Sequence, residues 1–441
     1  MTNFDKEEFF DHKGRLLHDR FSEWLMNKLA IKRIIAHDES SENYMNYPVM
    51  YFNGAEYKPL LKHFNRIVLS YIPSLTIRMR NEVKSYILAR AEDYVLPSNS
   101  LIGMKNGVLD IDTGDFYTDK RAHPVIIHTP IEYLPQKVSH DQAEKYLHSL
   151  GGGEGIDFFC ELLGYALMPS NMIQKLVLLH GPGGDGKSSF LRILEMIYGT
   201  RNTSHLSMED FGERFKVANL NHKIINIGDD LEDGKILHTS MLKNVTSGEV
   251  INAEYKGQDP FEFRPRVKLF FSCNVPPQIY DTSEGMQRRL LVVPFENGYT
   301  KNGNANVHIL DKIQADNGLS YLFNKALEGY RRLSNNHSFS VPKYVQEKTD
   351  RYFIDSNPTA LFVEEYLNGD ISYIVKDLSP LEETPQQDVY ELYISWRKAN
   401  GHVGNYSKKR FTQDMEKLGY VAKQTRVGNG ARERRYQSTN N

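Results

Sequence analysis

The strongest pattern in the chain is an apolar run that stops at a glycine-rich turn. "KLVLLH" (175–180) is a continuous apolar segment of the kind buried in a parallel sheet. After the turn, "SSFLRILEMIYG" (188–199) spaces its apolar residues as a helix does, with Gly199 placed to end it. Three further runs, "KIINIGDD" (223–230), "RVKLFFSCN" (266–274) and "GMQRRLLVVPF" (285–295), repeat the strand pattern. From Leu319 to Leu333, apolar residues at 319, 322, 323, 326, 327, 330 and 333 line one helical face. Alternation of this sort predicts an α/β domain over about 151–335.

The flanks differ. Residues 1–150 are mixed and aromatic-rich, and "MKNGVLDIDTGDFYT" (104–118) carries the Asn-Gly and Thr-Gly turns of a hairpin. A mixed α+β module is expected there. Residues 336–388 read as a helical connector closing on "KDLSPLEETPQQD" (376–388), a Pro-, Asp- and Glu-rich linker. In the remaining segment, 389–441, two helical faces precede two strands around Gly428-Asn429-Gly430, the order of a winged helix.

Composition narrows the class. The 441 residues are 40% apolar and 25% charged, an ordinary globular balance with a net charge of only −2. That charge is segregated: from Ser395 onward eleven Lys/Arg stand against three acids, a net of +8. Such a tail suits a phosphate backbone, with Lys408, Lys409, Arg410, Arg432, Arg434 and Arg435 as candidate DNA contacts. Two cysteines, both in apolar runs, predict a reducing compartment. The acidic, mixed N-terminus is no signal peptide, and no apolar stretch reaches bilayer-spanning length, so a cytoplasmic protein (bacterial, or in an infected host cell) without a membrane partner is expected.

The turn itself, "GPGGDGKS" (181–188), fits G-x-x-x-x-G-K-[ST] between a strand and a helix. Backbone N–H groups of Gly181, Gly183, Gly184 and Gly186, with Ser189 beyond, would cradle the phosphates of ATP. Lys187 would reach the β/γ oxygens, and the Ser188 hydroxyl would ligate Mg2+. Asp229 and Asp230 close the next strand: the first would hold the metal through water, the second would orient or deprotonate the attacking water. Asn274, ending the third strand, can reach the γ-phosphate. Arg288 and Arg289 precede a further strand, where an arginine serving a neighbouring subunit's phosphate is expected. "TSGEVINAEYKGQDPFEFRP" (246–265) predicts a hairpin with Tyr255 and Lys256 near its tip, suited to gripping a phosphate backbone.

In order and wording these motifs resemble the superfamily 3 helicases of the phage/plasmid and poxvirus primase–helicase type. "FFCELLGYALMPSN", "DPFEFRPRVKLFFSCNVPP" and "GMQRRLLVVPF" are similar to that family's core, and "NGVLDIDTGDF" to its N-terminal module. The resemblance implies an AAA+ core, a homo-hexameric ring with ATP at subunit interfaces, and 3′ to 5′ movement along single-stranded and forked DNA. It makes Asn274 the sensor, Lys256 the DNA-tracking residue, Arg289 the better match to the arginine finger and Arg288 the second. Only about 150 residues precede the core, without an acidic primase signature, so a separate primase or origin-binding partner is expected. An ATP-switched origin-binding initiator is the alternative; a small-molecule P-loop kinase leaves the basic tail unexplained.

Overall fold

The computed structural model describes residues 4–37, 47–135, 139–228, 235–236, 238–257, 259–279, 281, 283–295, 308–315, 317–402, 406–426 and 432–439. Three units follow one another along the chain.

The first is a small α+β module. Its sheet runs in the order Tyr57–Pro59, Val49–Phe52, Lys32–Ile35, Glu92–Val95. The last two strands are parallel, so the chain between them must cross over. Helices Leu60–Tyr71 and Ile77–Arg90 lie in that connection. Phe9, Phe21, Leu25, Val68, Val83 and Ile87 fill the space between helices and sheet. A three-stranded meander follows (Leu101–Gly103, Val108–Asp110, Phe116–Tyr117), and Met104 N–H donates to Gly107 O across its first turn at 2.7 Å.

The second unit is built on five parallel strands ordered Leu290–Pro294, Leu176–His180, Lys268–Cys273, Ile225–Gly228, Thr203–Ser204. Successive side chains of a strand point to opposite faces. Here Val177 and Leu179 enter one core while Leu176 and Leu178 enter the other. Leu291 and Val293 part from Leu290 and Val292 in the same way. The first core packs helices Asp141–Gly164, Lys187–Tyr198 and Gly318–Asn336; the second takes in Phe211, Val217, Leu242, Val245 and Met286. A central strand with cores on both faces has to be apolar throughout, which explains the unbroken "LVLL". Helix Lys343–Ser356 covers the outer strand: Thr349 Oγ1 accepts from Val292 N–H at 3.0 Å.

The third unit collects helices Pro358–Asn368, Gln386–Ala399 and Lys408–Lys417 and the antiparallel pair Tyr420–Arg426/Arg432–Ser438. Phe362, Tyr366, Tyr393, Trp396, Phe411 and Tyr436 form its aromatic core. Ser407 caps the third helix by accepting from Arg410 N–H, and Asn357 caps the first.

Three expectations about boundaries are revised. The linker at 376–388 is packed: Leu381 is 1% exposed, the Tyr366 hydroxyl donates to Ser379 O at 2.8 Å, and helix Gln386–Ala399 starts within it. The connector at 336–388 divides, since helix Lys343–Ser356 belongs to the core and helix Pro358–Asn368 to the third unit. At the other end, helix Asp141–Gly164 runs across residue 150, kinked where Gly152 leaves helical geometry (φ 57°).

Two of the core's helices touch through glycine. A Cβ at Gly329 would lie 2.0 Å from Cys160 O, and one at Gly164 2.3 Å from Ala326 O. Gly329→Ala, which raises helix propensity, is therefore expected to destabilise the protein by about 1–3 kcal/mol through overpacking of backbone against backbone. Chemical denaturation of the two proteins checks the sign.

Candidate active site

The loop after strand Leu176–His180 takes its shape from three glycines with positive φ: Gly183 (94°), Gly184 (65°) and Gly186 (100°). Only glycine adopts such angles freely, and runs of this kind turn N–H groups toward a common centre. Gly181 is constrained by space instead: a Cβ there would meet Asp185 Oδ2 at 2.0 Å and Phe295 O at 2.1 Å. Helix Lys187–Tyr198 begins at once, with Ser188 exposed and Ser189 half-buried in its first turn. This cradle fits a polyphosphate.

Lys187 is buried. Its ammonium donates to Gly181 O (2.8 Å), Asp185 Oδ2 (2.7 Å) and Asn274 Oδ1 (3.2 Å). The loop and the third strand's terminal amide are thus brought together, as their positions at the C-terminal ends of neighbouring strands require. Asp185 is the residue that motif reasoning missed. It is 2% exposed, and its carboxylate also accepts from the N–H groups of Lys187 (3.3 Å) and Gly183 (3.4 Å). A carboxylate thus holds the lysine within the loop; an acid among the unspecified motif positions was the available signal. Asp229 and Asp230 lie outside the described residues. Among the described residues no cluster of three or more His, Cys, Asp or Glu could hold a metal ion.

The arginine pair sits at the opposite edge of the sheet. Leu290 is in register with Leu176, and Leu176 N–H donates to Arg289 O at 2.7 Å. The five residues of Leu176–His180, roughly 16 Å at ~3.3 Å per residue, separate these arginines from their own chain's phosphate loop. The two differ in presentation. Arg289 is 8% exposed, and its guanidinium donates to Gly285 O (2.7 Å) and Ser247 Oγ (2.6 Å). Burial, then the adjacent Arg288 charge, holds its pKa below the usual arginine range. Arg288 is exposed, with one long contact to Gln174 (3.4 Å).

The predicted hairpin is present as Ile251–Ala253 paired with Phe261–Phe263, and Lys256 is exposed beyond the first strand. Tyr255 turns inward: its hydroxyl donates to Ala218 O (3.0 Å) and its ring stacks on Phe261 (5.1 Å between centroids). The hairpin's root is anchored by Lys268, the one charged residue in an otherwise apolar strand start. Its ammonium donates to Asn171 Oδ1 (2.6 Å), Ser170 O (2.9 Å) and Arg266 O (3.0 Å), while burial pushes it down to about 7. In the third unit Lys409, Arg410, Arg432 and Arg434 are exposed. Lys408 donates to Gln387 Oε1 (2.5 Å), and Arg435 is half-buried beside Glu433 (3.0 Å).

Family models match two stretches of the chain. A family model described as a family of unknown function (DUF5906) matches residues 179–289, from phosphate loop to arginine pair. One described as Poxvirus D5 protein-like matches residues 354–440, the third unit. A "Putative helicase" of Acanthamoeba polyphaga mimivirus is 22% identical over 333 residues, 69% of this chain and 33% of that protein. The chain thus spans about a third of that relative's length. An apo structure of the NrS-1 C-terminal region, 14% identical, superposes with a TM-score of 0.56 over 95% of this chain and 98% of that one. A second apo structure of that region gives 0.53 at 13% identity, covering 96% and 99%. At such identities the likeness is one of fold, and it extends over all three units.

The Lys187–Asp185 pair makes a prediction of definite sign. A phosphate must take Lys187 from a buried carboxylate, and an unpaired buried charge is costly. Asp185→Asn keeps one of the two N–H acceptors and removes the competing charge. Affinity for ATP is expected to rise about tenfold, or about 1.4 kcal/mol, while the ligand-free protein melts earlier. Calorimetric titration decides; unchanged or weaker binding would mean that Asp185 serves the nucleotide-bound loop instead.

Proposed function

We propose, from the premise that this chain belongs to the superfamily 3 helicase family, that it is an ATP-driven replicative DNA helicase of a phage, virus, plasmid or other mobile element. Its core would be an AAA+ ATPase working as a hexameric ring, and its third unit a winged helix on DNA. One observation carries the reading: phosphate loop and arginine pair lie on opposite edges of one sheet. An arginine that cannot reach its own phosphate can serve a neighbour's, and repetition of such a head-to-tail contact closes into a ring.

When bound, Mg2+ would neutralise charge on the β/γ oxygens, with Ser188 and Asp229 as its protein partners. Lys187, once released by Asp185, would hold the terminal phosphate. Asn274 would register the phosphate's presence, and Asp230 would orient the attacking water. The exposure of Arg288 supports it as the trans-acting arginine, where the resemblance put Arg289 first. Arg289, tied to Gly285 and Ser247, would hold that segment against helix Thr239–Ser247, which leads into the hairpin. Lys256 would grip one strand of DNA, with Tyr255 bracing the hairpin from behind. Lys409, Arg410, Arg432 and Arg434 would add phosphate contacts whose strength falls with salt.

An origin-binding initiator is the competing reading, favoured by a basic unit that has its own core. ATP-dependent displacement of a strand from forked DNA separates the two. Wild type is expected to unwind, and Lys256→Ala to hydrolyse ATP without unwinding. DNA binding and hydrolysis without displacement by wild type would favour the initiator. For the shared site, Arg288→Ala and Lys187→Ala should each abolish hydrolysis, by about a thousandfold or more for the arginine. Mixed rings of the two should regain part of it. Mixtures that assemble but stay inactive at every ratio would exclude Arg288 from a trans role.

A further inference from the structure

At the same edge of the sheet as the hairpin, a cavity of about 480 Å3 opens between the N-terminal module and the core. That is within the ~300–1,000 Å3 range of pockets that take small organic ligands. Its core wall is the hairpin's second leg, with Phe263, Arg264 and Arg266, and the turn at His222 and Lys223. Three cations there face one carboxylate, Glu262. The opposite wall comes from the N-terminal module: Leu96, Ile126 and Tyr47 line it.

Two features mark this cavity as a site. Its core wall carries Lys223, Arg264 and Arg266 against the single carboxylate Glu262, with the Phe263 ring among them. Second, the cavity continues from the hairpin. Tyr255 stacks on Phe261 (5.1 Å, 19° between planes) and Phe261 on Phe263 (5.6 Å, 28°), an aromatic row from beside Lys256 to the cavity wall. Basic groups alternating with aromatic faces are how proteins hold single strands without reading sequence.

We infer that this cleft binds a segment of single-stranded nucleic acid, taking one nucleotide unit by its base against Phe263 and its phosphate against Arg264 and Arg266. The inference rests on the helicase reading and adds a second grip, about one hairpin length behind Lys256. It gives the N-terminal module a part in holding the strand.

The test is anisotropy titration of the full chain with labelled oligothymidylates of increasing length at several salt concentrations. Arg264→Ala combined with Arg266→Ala should weaken binding about tenfold and lower the salt slope by about 0.7, the share of one single-strand phosphate. Phe263→Leu removes the ring and keeps apolar bulk; it should weaken binding several-fold with the slope unchanged. Melting temperatures control for folding. Iodouracil-substituted DNA should cross-link wild type at Phe263 or Tyr47, and free thymidine monophosphate should not compete. Wild-type affinity and slope in both cavity variants, with cross-links confined to the hairpin tip, would overturn the site. Competition by the free monophosphate would make it a nucleotide pocket and overturn the strand reading. If Lys256→Ala weakens binding while the cavity variants do not, only this inference falls; if wild type binds no single strand, the helicase reading falls and takes the site with it.

Discussion

Parallel strands all start at one edge of their sheet and end at the other, and in this molecule that polarity separates two kinds of chemistry. Each side chain at a C-terminal end has its neighbours' C-terminal ends beside it, so the phosphate loop and Asn274 meet without long connections. Whatever precedes a strand collects at the far edge: the arginine pair before Leu290, the hairpin before Lys268, the turn before Ile225. The two edges are joined by rigid, fully buried strands, which transmit displacement poorly within themselves and well as a block. Within one chain, events at one edge can move the other by tilting the whole sheet.

The far edge is internally braced, and its bracing is polar. Arg289 links the segment before one strand to the end of helix Thr239–Ser247, and Lys243 pairs with Asp281 at 2.7 Å across the same gap. Asn171 donates to both Val245 O (3.1 Å) and Pro265 O (2.9 Å), tying the helix to the hairpin's leg. Hydrogen bonds have directional preferences that apolar contacts lack, so these pieces keep their relative geometry. A hairpin braced in this way moves with the arginine segment and not independently of it.

Much of this was legible in the sequence because its signals are local. A phosphate loop needs fixed spacing, and a strand with a core on each face needs an unbroken apolar run; both are written in consecutive residues. What was not legible depended on partners distant in the chain. Arg288 and Arg289 are adjacent and chemically identical, and only Ser247 and the backbone of Gly285 distinguish them. The acidic, proline-rich stretch at 376–388 has the composition of a solvated linker. Yet Leu381 fills a place among aromatics from helices on either side of it. The boundary expected at about residue 150 falls inside a continuous helical segment, interrupted where Gly152 leaves helical geometry.

Strand Leu290–Pro294 is one of the two outer strands of the core sheet among the described residues, and helix Lys343–Ser356 covers it. An uncovered strand with buried-type residues is a template for pairing with another chain. During synthesis the strand emerges well before the helix; at ~5–20 residues per second the interval is several seconds or more. For that time the nascent chain presents a bare apolar edge beside other chains on the same message. The helix is therefore a biosynthetic safeguard as well as a packing element. Fragments ending between the two would be the ones to need a chaperone, although their nucleotide loop would already be complete.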